Sequence, residues 1–442
     1  MMGSILSSEE IGRYYYIIAL SSIISTVCLT PFGSYWEARV IENKDKFLLS
    51  FYCQFLQVLL VLFFIFIFLF YFLKTEFLNL IMIVGLGIST YLFTNACHQF
   101  NLNGYKKFSA VIAAFCSLLN VGIIFVSSRY ITLNGNFWAY SIIVSNVFGL
   151  LVFLVNIYRI STPVTMQEII SKVVDNSGVK AVYFLFPVFI ITLLVWGQQQ
   201  LFRIIIEHFA SLEFLGILSY CFAVSIAAYS ACDTIFQQVI LPQAISRISL
   251  AESVSAKLNT WRIKYYSIQF VVGISIFTGI AICSKPLMGT IGAGNYYNYW
   301  FLVVIGAAIE FIKSNINARY LIVRLIGQPK YALPSNLVLT ILLSLSCCVL
   351  IYYESHLILV SLLLISYFLS LFTFKAYMRI ILNDRSIDCL FKVGASCVSL
   401  LFVSIVLVLQ GEVDELLVSL VSSSLLLVVF YKWFDRCKND YL

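Results

Sequence analysis

The sequence predicts an all-α polytopic membrane protein, with about thirteen transmembrane helices in two pseudosymmetric bundles. Three observations carry this. The 442 residues are 61% hydrophobic and only 11% charged, with a mean hydropathy of +0.96, whereas a soluble domain has about 25% charged residues. Apolar stretches long enough to cross a bilayer follow one another along the whole chain. Lys and Arg are confined almost entirely to alternate loops.

Reading with a ruler of about 20 residues places the spans near 14–36, 47–73, 77–99, 108–126, 137–157, 181–203, 214–241, 264–284, 299–320, 331–352, 357–378, 389–409 and 416–431. The loops 158–180 and 242–263 are the longest, and the second reads as an amphipathic segment at the membrane surface. Of the 28 Lys and Arg, Arg13, Lys74, Arg129, Arg203 and Lys285 fall in one set of alternate loops. Lys313 and Lys392 lie within spans, and the other 21 fall in the opposite set. The positive-inside bias therefore predicts a cytoplasmic C-terminus and an outside N-terminus, in a bacterial inner membrane.

The same distribution excludes several functions. The net charge of +7 sits in short loops between spans, which argues against a nucleic-acid partner. The 12 Cys lie mostly in apolar runs with no C-x-x-C spacing and read as small core fillers. Three His, with no phosphate-binding glycine loop and no nucleophile elbow, call for no metal and no cofactor. The outside loops, such as 353–356 and 411–415, are too short for the catalytic loop of a membrane polymerase or ligase.

A weak internal repeat is legible. Ser7-Ser8-Glu9-Glu10-Ile11-Gly12 followed by Tyr16 echoes Ser211-Leu212-Glu213-Phe214-Leu215-Gly216 followed by Tyr220, at an offset of 204. Gly104-Tyr105-Lys106-Lys107-Phe108 echoes Gly327-Gln328-Pro329-Lys330-Tyr331 at an offset of 223. Parallel repeats of this kind are a transporter architecture with the substrate between the halves. The repeat predicts an N-terminal bundle over 1–180, a C-terminal bundle over 181–378, and two further helices with a cytoplasmic tail over 379–442. A full span precedes the second Ser-x-Glu motif but only six residues precede the first. A helix is thus expected upstream of Met1, in a natural chain starting roughly 30 residues earlier.

At the segments Ser7–Tyr14, Trp196–Glu207 running on to Leu215-Gly216 and Tyr220, and Asn315–Asn317 leading to Gly327, the chain resembles the polysaccharide-flippase branch of the multidrug/oligosaccharidyl-lipid/polysaccharide exporter superfamily. It is most similar there to Wzx-type O-antigen flippases. The resemblance implies two bundles around a central cavity. It implies alternating access that carries an undecaprenyl-pyrophosphate-linked oligosaccharide, such as an O-antigen repeat unit, from the cytoplasmic to the periplasmic leaflet. A polysaccharide polymerase and a chain-length regulator are the implied partners, with membrane lipid around the tail. A cation-coupled small-molecule exporter of the same superfamily is the other reading. A glycan pyrophosphate cannot shed its hydration in hydrocarbon, so the cavity must offer it cations, amides and hydroxyls.

Ionisable and amide residues inside spans are the site candidates. Arg203, one turn beyond Gln198-Gln199-Gln200, is a candidate cavity cation, or else an interfacial snorkelling Arg. Glu310 and Lys313 can pair on one face, and with Asn317 they line the cavity or lock two helices. Thr90, Thr94, Asn95 and His98 occupy the corresponding part of the first half. Gln199, His98 and Arg39 complete the substrate-binding set; Arg39, like Lys392, also suits a positive-inside anchor. Asp233, with Gln237 one turn on, is the candidate for ion coupling. Pro187 is expected to kink its span.

Overall fold

The structure, a computed structural model, describes residues 6–31, 77–102, 105–130, 134–160, 179–235, 265–291, 296–325, 333–352 and 356–382, with isolated positions between 240 and 261. Every regular element among them is helical. We number these α1 (Ser8–Ser22), α2 (Phe77–Leu102), α3 (Lys106–Ser127), α4 (Gly135–Ile160), α5 (Val179–Trp196), α6 (Phe202–Phe209), α7 (Leu212–Ile235), α8 (Ser267–Ile291), α9 (Trp300–Leu325), α10 (Leu333–Tyr352) and α11 (His356–Leu382). Among the described residues, eight helical stretches of 19 to 24 residues are long and apolar enough to cross a membrane, and Leu333–Cys347 and Ser361–Phe374 are shorter apolar helices. The protein is an all-α polytopic membrane protein. The expected spans 47–73, 389–409 and 416–431 lie outside the described residues, as does most of the loop 242–263.

The chain divides into two compact units, one of Leu6–Leu215 and one built chiefly from Gly216 onward. The repeat places a boundary after residue 180; by contacts the first unit runs on to Leu215, because α6 packs on α1 and α5 on the π-helical stretch that continues it. The Trp196 indole N–H donates to Ser22 Oγ at 3.0 Å and approaches the Ala19 carbonyl at 3.4 Å. The contact falls where α1 widens into a π-helical stretch, Ile23–Leu29.

α1 starts at Ser8, before the apolar run, because Ser7 caps it: Ser7 Oγ accepts from the Glu10 amide at 3.3 Å. Glu9 and Glu10 in the first turn suit the positive end of the helix dipole. In the first unit α1 packs on α2 and α4, while α3 packs on both α2 and α4. The core is aromatic where α2, α3 and α4 meet; the Phe100 and Phe153 ring centroids are 4.7 Å apart, with Phe108 against both. The outer faces of α3 and α4 expose Phe115, Leu118, Phe148 and Leu151, an apolar surface suited to lipid.

The second unit repeats this order. α9 packs on α11 and α10 on α11, as α2 packs on α4 and α3 on α4. At the end of the first unit, Ser211 caps α7, which runs on into the second, as Ser7 caps α1, its Oγ accepting from the Phe214 amide at 3.1 Å. Small residues then let neighbouring helices close up. A Cβ on Gly87 of α2 would meet the Ser21 carbonyl oxygen of α1 at 2.6 Å, and one on Gly306 of α9 would meet Ser225 Oγ of α7 at 3.0 Å.

The helix around Pro187 runs on as α5; the irregularity comes ten residues later, in the π-helical Gly197–Leu201. Beyond it the helix resumes as α6 to Phe209, not ending near 203 as hydropathy suggests. Arg203 is therefore drawn inside the helix and away from its end.

Candidate functional site

Two polar regions stand out, one in each unit. In α9 every side chain from Trp300 to Arg319 is buried except Glu310, Lys313 and Asn317. These are spaced at i, i+3 and i+7, so they lie on one face. A lipid-facing stripe on a membrane helix would be apolar; the accessible positions here are all polar. Lys313 Nζ donates to Glu310 Oε1 at 2.6 Å, and the ammonium lies 5.4 Å from the centre of the Tyr367 ring on α11. Both partners of the pair are a quarter exposed or less. The pair cancels its own charge, which lowers the cost of holding either ion in a span.

A buried network sets the direction of this stripe. Tyr266 Oη donates to Asn315 Oδ1 at 2.9 Å and accepts from Arg319 Nη2 at 3.2 Å. Asn315 Nδ2 donates to the Phe311 carbonyl at 2.7 Å. On α8, Gln269 Nε2 donates to Ser314 Oγ at 2.7 Å. The bonds from Tyr266 and Gln269 tie α9 to α8 and the residues just before it on the faces flanking and opposite the stripe, which fixes the direction the stripe points. Arg319, counted above among the loop cations, is only 1% exposed. It serves this clamp and does not snorkel to the interface.

In the first unit, at the 223-residue offset of the second echo, Thr90 and Thr94 match Lys313 and Asn317. Thr90 is half-buried and its hydroxyl accepts from Asn146 Nδ2 at 3.3 Å; Thr94 is exposed and Asn95 is buried. The His98 side chain lies outside the described residues. Of the glutamines, Gln199 is exposed, whereas Gln200 Oε1 accepts from Arg203 Nη1 at 2.7 Å. The Arg203 guanidinium is buried and stacks over Tyr15 of α1 at 5.0 Å and over Phe202 at 5.5 Å. Arg203 joins α6 to α1, and neither snorkels nor stands open. Arg39, Lys392 and Gln237, and the side chain of Asp233, lie outside the described residues.

The cation that faces a cavity here is Arg13. A cavity of about 430 Å³ is lined by Arg13, Tyr16, Ile17, Leu20, Asn79, Met82, Ile83, Asn136, Glu207 and Leu212. Its charged and amide residues stand near the same ends of α1, α2, α4 and α6, and its floor is apolar. The rim is fixed by Glu10. Glu10 Oε2 accepts from the Gly135 amide, the first residue of α4, at 2.6 Å, and Glu10 Oε1 lies 3.7 Å from Arg13. A Cβ at Gly135 would meet the Glu10 carbonyl oxygen at 2.5 Å, so this approach of α4 to α1 needs glycine. Sequence reasoning passes over these lining residues. The available signals are that Arg13 is one of five cations on the sparse side, and that Glu207 is an acid in a long apolar stretch.

Two solved structures share the arrangement of helices. One is a lipid II flippase MurJ in an inward closed conformation: TM-score 0.63, 12% identity, 97% of each chain covered. The other is a multidrug resistance MATE family transporter of the MOP superfamily in an inward-facing conformation: TM-score 0.56, 12% identity, 88% of this chain and 93% of that chain covered. No family model matches the sequence, and no curated protein matches it.

Proposed function

We propose, from a fold shared with a lipid flippase and a multidrug transporter, that this chain moves an amphipathic, lipid-linked substrate across the membrane and catalyses no covalent reaction. The observation that carries the reading is the α9 stripe. Between Trp300 and Arg319 of this membrane helix, the side chains left accessible are those of Glu310, Lys313 and Asn317. Such a face suits contact with a hydrated head group and is costly against lipid tails. Lys313 offers a cation to a pyrophosphate and Asn317 an amide to sugar hydroxyls, while the 2.6 Å bond to Glu310 holds the Lys313 ammonium in place.

The substrate is an undecaprenyl-pyrophosphate-linked oligosaccharide of the O-antigen kind, carried outward across a bacterial inner membrane with the C-terminus cytoplasmic. Support for this comes from the local resemblance of Ser7–Tyr14 and Trp196–Glu207 to polysaccharide flippases and from the uneven loop charges. A polymerase and a chain-length regulator would act on the delivered unit. The likeness to a MATE transporter supports a cation-coupled small-molecule exporter as the second reading.

Deleting the gene and running the surface polysaccharide on a gel separates the two. Loss of the polysaccharide, restored by the wild-type gene but not by a Lys313→Met gene, supports the flippase. An unchanged polysaccharide in a strain with no second flippase, together with new sensitivity to amphipathic drugs, supports the exporter.

A further inference from the structure

The cavity between the ends of α1, α2, α4 and α6 supports an inference that does not depend on the cargo. Its rim carries one cation, Arg13, and one carboxylate, Glu207, with the amides of Asn79 and Asn136. Below them come Tyr16 and then Ile17, Leu20, Met82 and Ile83. Leu20 follows Arg13 by seven residues in the same helix, which is about 10 Å deeper at 1.5 Å per residue. Charge at the helix ends, a phenol beneath, and hydrocarbon below that is the order in which a phospholipid meets a bilayer. The cavity falls within the range of about 300–1,000 Å³ usual for small-molecule sites, which suits a head group and the start of a chain.

Glu207 selects the kind of head. It is half-buried at the end of a membrane-spanning helix, and among the described residues it forms no ion pair. A carboxylate so placed favours a cationic partner. Arg13 is about half exposed and engages Glu10 only at 3.7 Å, so it retains N–H donors for an anion. The ligand must therefore bring an ammonium and a phosphate together, above an apolar tail.

We propose that this cavity binds the head of a zwitterionic phospholipid, ammonium against Glu207 and phosphate against Arg13, with the first acyl carbons over Ile17, Leu20, Met82 and Ile83. By the loop charges this end faces outside, so the lipid comes from the outer leaflet.

The test uses the purified full chain in detergent. It is titrated with dioctanoyl phosphatidylethanolamine, with dioctanoyl phosphatidylglycerol, and with free phosphoethanolamine, bound lipid being counted by native mass spectrometry. The wild type should hold phosphatidylethanolamine about tenfold more tightly than phosphatidylglycerol, a factor set by one charge-assisted contact. Glu207→Gln should remove that preference and leave phosphatidylglycerol binding unchanged. Arg13→Gln should weaken both lipids, and Leu20→Trp, which fills the floor, should weaken both whatever their heads. Glu9→Gln, exposed on the first turn of α1, should change nothing. Elution volume and melting temperature check that each variant is folded; if Glu207→Gln fails, Glu207→Asp tests the same contact by drawing the charge back. Equal binding of both lipids by the wild type, or a preference that survives Glu207→Gln, overturns the proposal. Free phosphoethanolamine binding as tightly as the lipid would also overturn it, since the apolar floor would then contribute nothing. So would displacement of the lipid by tetraphenylphosphonium, which would make this an organic-cation site.

Discussion

Helices α1 and α7, which open the two repeats, are capped alike, whereas the two units differ in their polar groups. Ser7 and Ser211 cap α1 and α7 with the same bond, and Gly87 and Gly306 each let a neighbouring helix approach a serine. The accessible polar side chains do not repeat. The first unit gathers Arg13, Glu207 and two asparagines at a helix-end cavity and shows only threonines, Thr90 and Thr94, where the second has Lys313 and Asn317. The second unit carries its ions in mid-span as a stripe held by a buried clamp. Capping and close approach are demands of the backbone, so both copies must meet them. Side chains facing a substrate are free to diverge, and divergence between halves is where specificity can arise.

The largest effect expected from this contrast is at the stripe. Lys313→Met leaves the Glu310 carboxyl without its partner in a span, and should slow movement of a fluorescent lipid-linked sugar in proteoliposomes by about tenfold, equal to ~1.4 kcal/mol in the barrier. Glu310→Gln with Lys313→Met removes the stranded charge, so it should restore the folded yield without restoring movement. Thr90→Val in the first unit should cost less than twofold. If Thr90→Val proves as damaging as Lys313→Met, the two halves contribute alike and the asymmetry argued here fails.

A smaller effect separates the two glycines. A methyl on Gly87 meets backbone, the Ser21 carbonyl oxygen at 2.6 Å and Ile24 Cβ at 2.9 Å, and neither can step aside. Gly87→Ala should destabilise by about 1–3 kcal/mol, as overpacking does. A methyl on Gly306 meets the ends of side chains at 3.0 Å, Phe222 Cδ1 and Ser225 Oγ, which can turn away. Gly306→Ala should cost about 1 kcal/mol or less. Thermal unfolding of the two purified variants ranks them directly.

The sequence made the fold legible because bilayer thickness imposes one ruler on every helix, and the described spans overlap those it sets, although the first begins at Ser8 and the one through Arg203 runs on to Phe209. It made the Glu310–Lys313 pair legible because i,i+3 spacing is a property of the helix alone. It could not show that Arg203 turns inward over Tyr15. That depends on the π-helical Gly197–Leu201, which carries the helix on to Phe209, and on the packing of α6 against α1. Nor could it assemble the cavity, whose rim comes from four helices separated in the chain by up to 194 residues, Arg13 to Glu207. Arg319 shows the same limit in reverse. The charge count placed it among the loop cations, and only the hydroxyl of Tyr266, 53 residues away, reveals a buried clamp.

The smallest effect tests the capping bond that α1 and α7 share. Losing an N-cap serine costs about 1 kcal/mol, but a helix end can recover part of that by fraying. α1 has little freedom to fray, because Glu10 is held by the Gly135 amide at 2.6 Å and its carbonyl lies against Gly135. Ser7→Ala therefore leaves the Glu10 amide without its acceptor and should show the full cost. In α7 the position matching Glu10 is Phe214, which has no carboxylate with which to make such a tie. Ser211→Ala should be milder by a few tenths of a kcal/mol. Adding Glu10→Ala to Ser7→Ala should cost less than the two single changes together, since once the tie is cut the helix can fray. Melting temperatures of Ser7→Ala, Ser211→Ala, Glu10→Ala and the Ser7→Ala, Glu10→Ala double variant settle the order. If Ser211→Ala is the more damaging, α1 is not pinned through Glu10, and the rim of the first-unit cavity rests on other contacts.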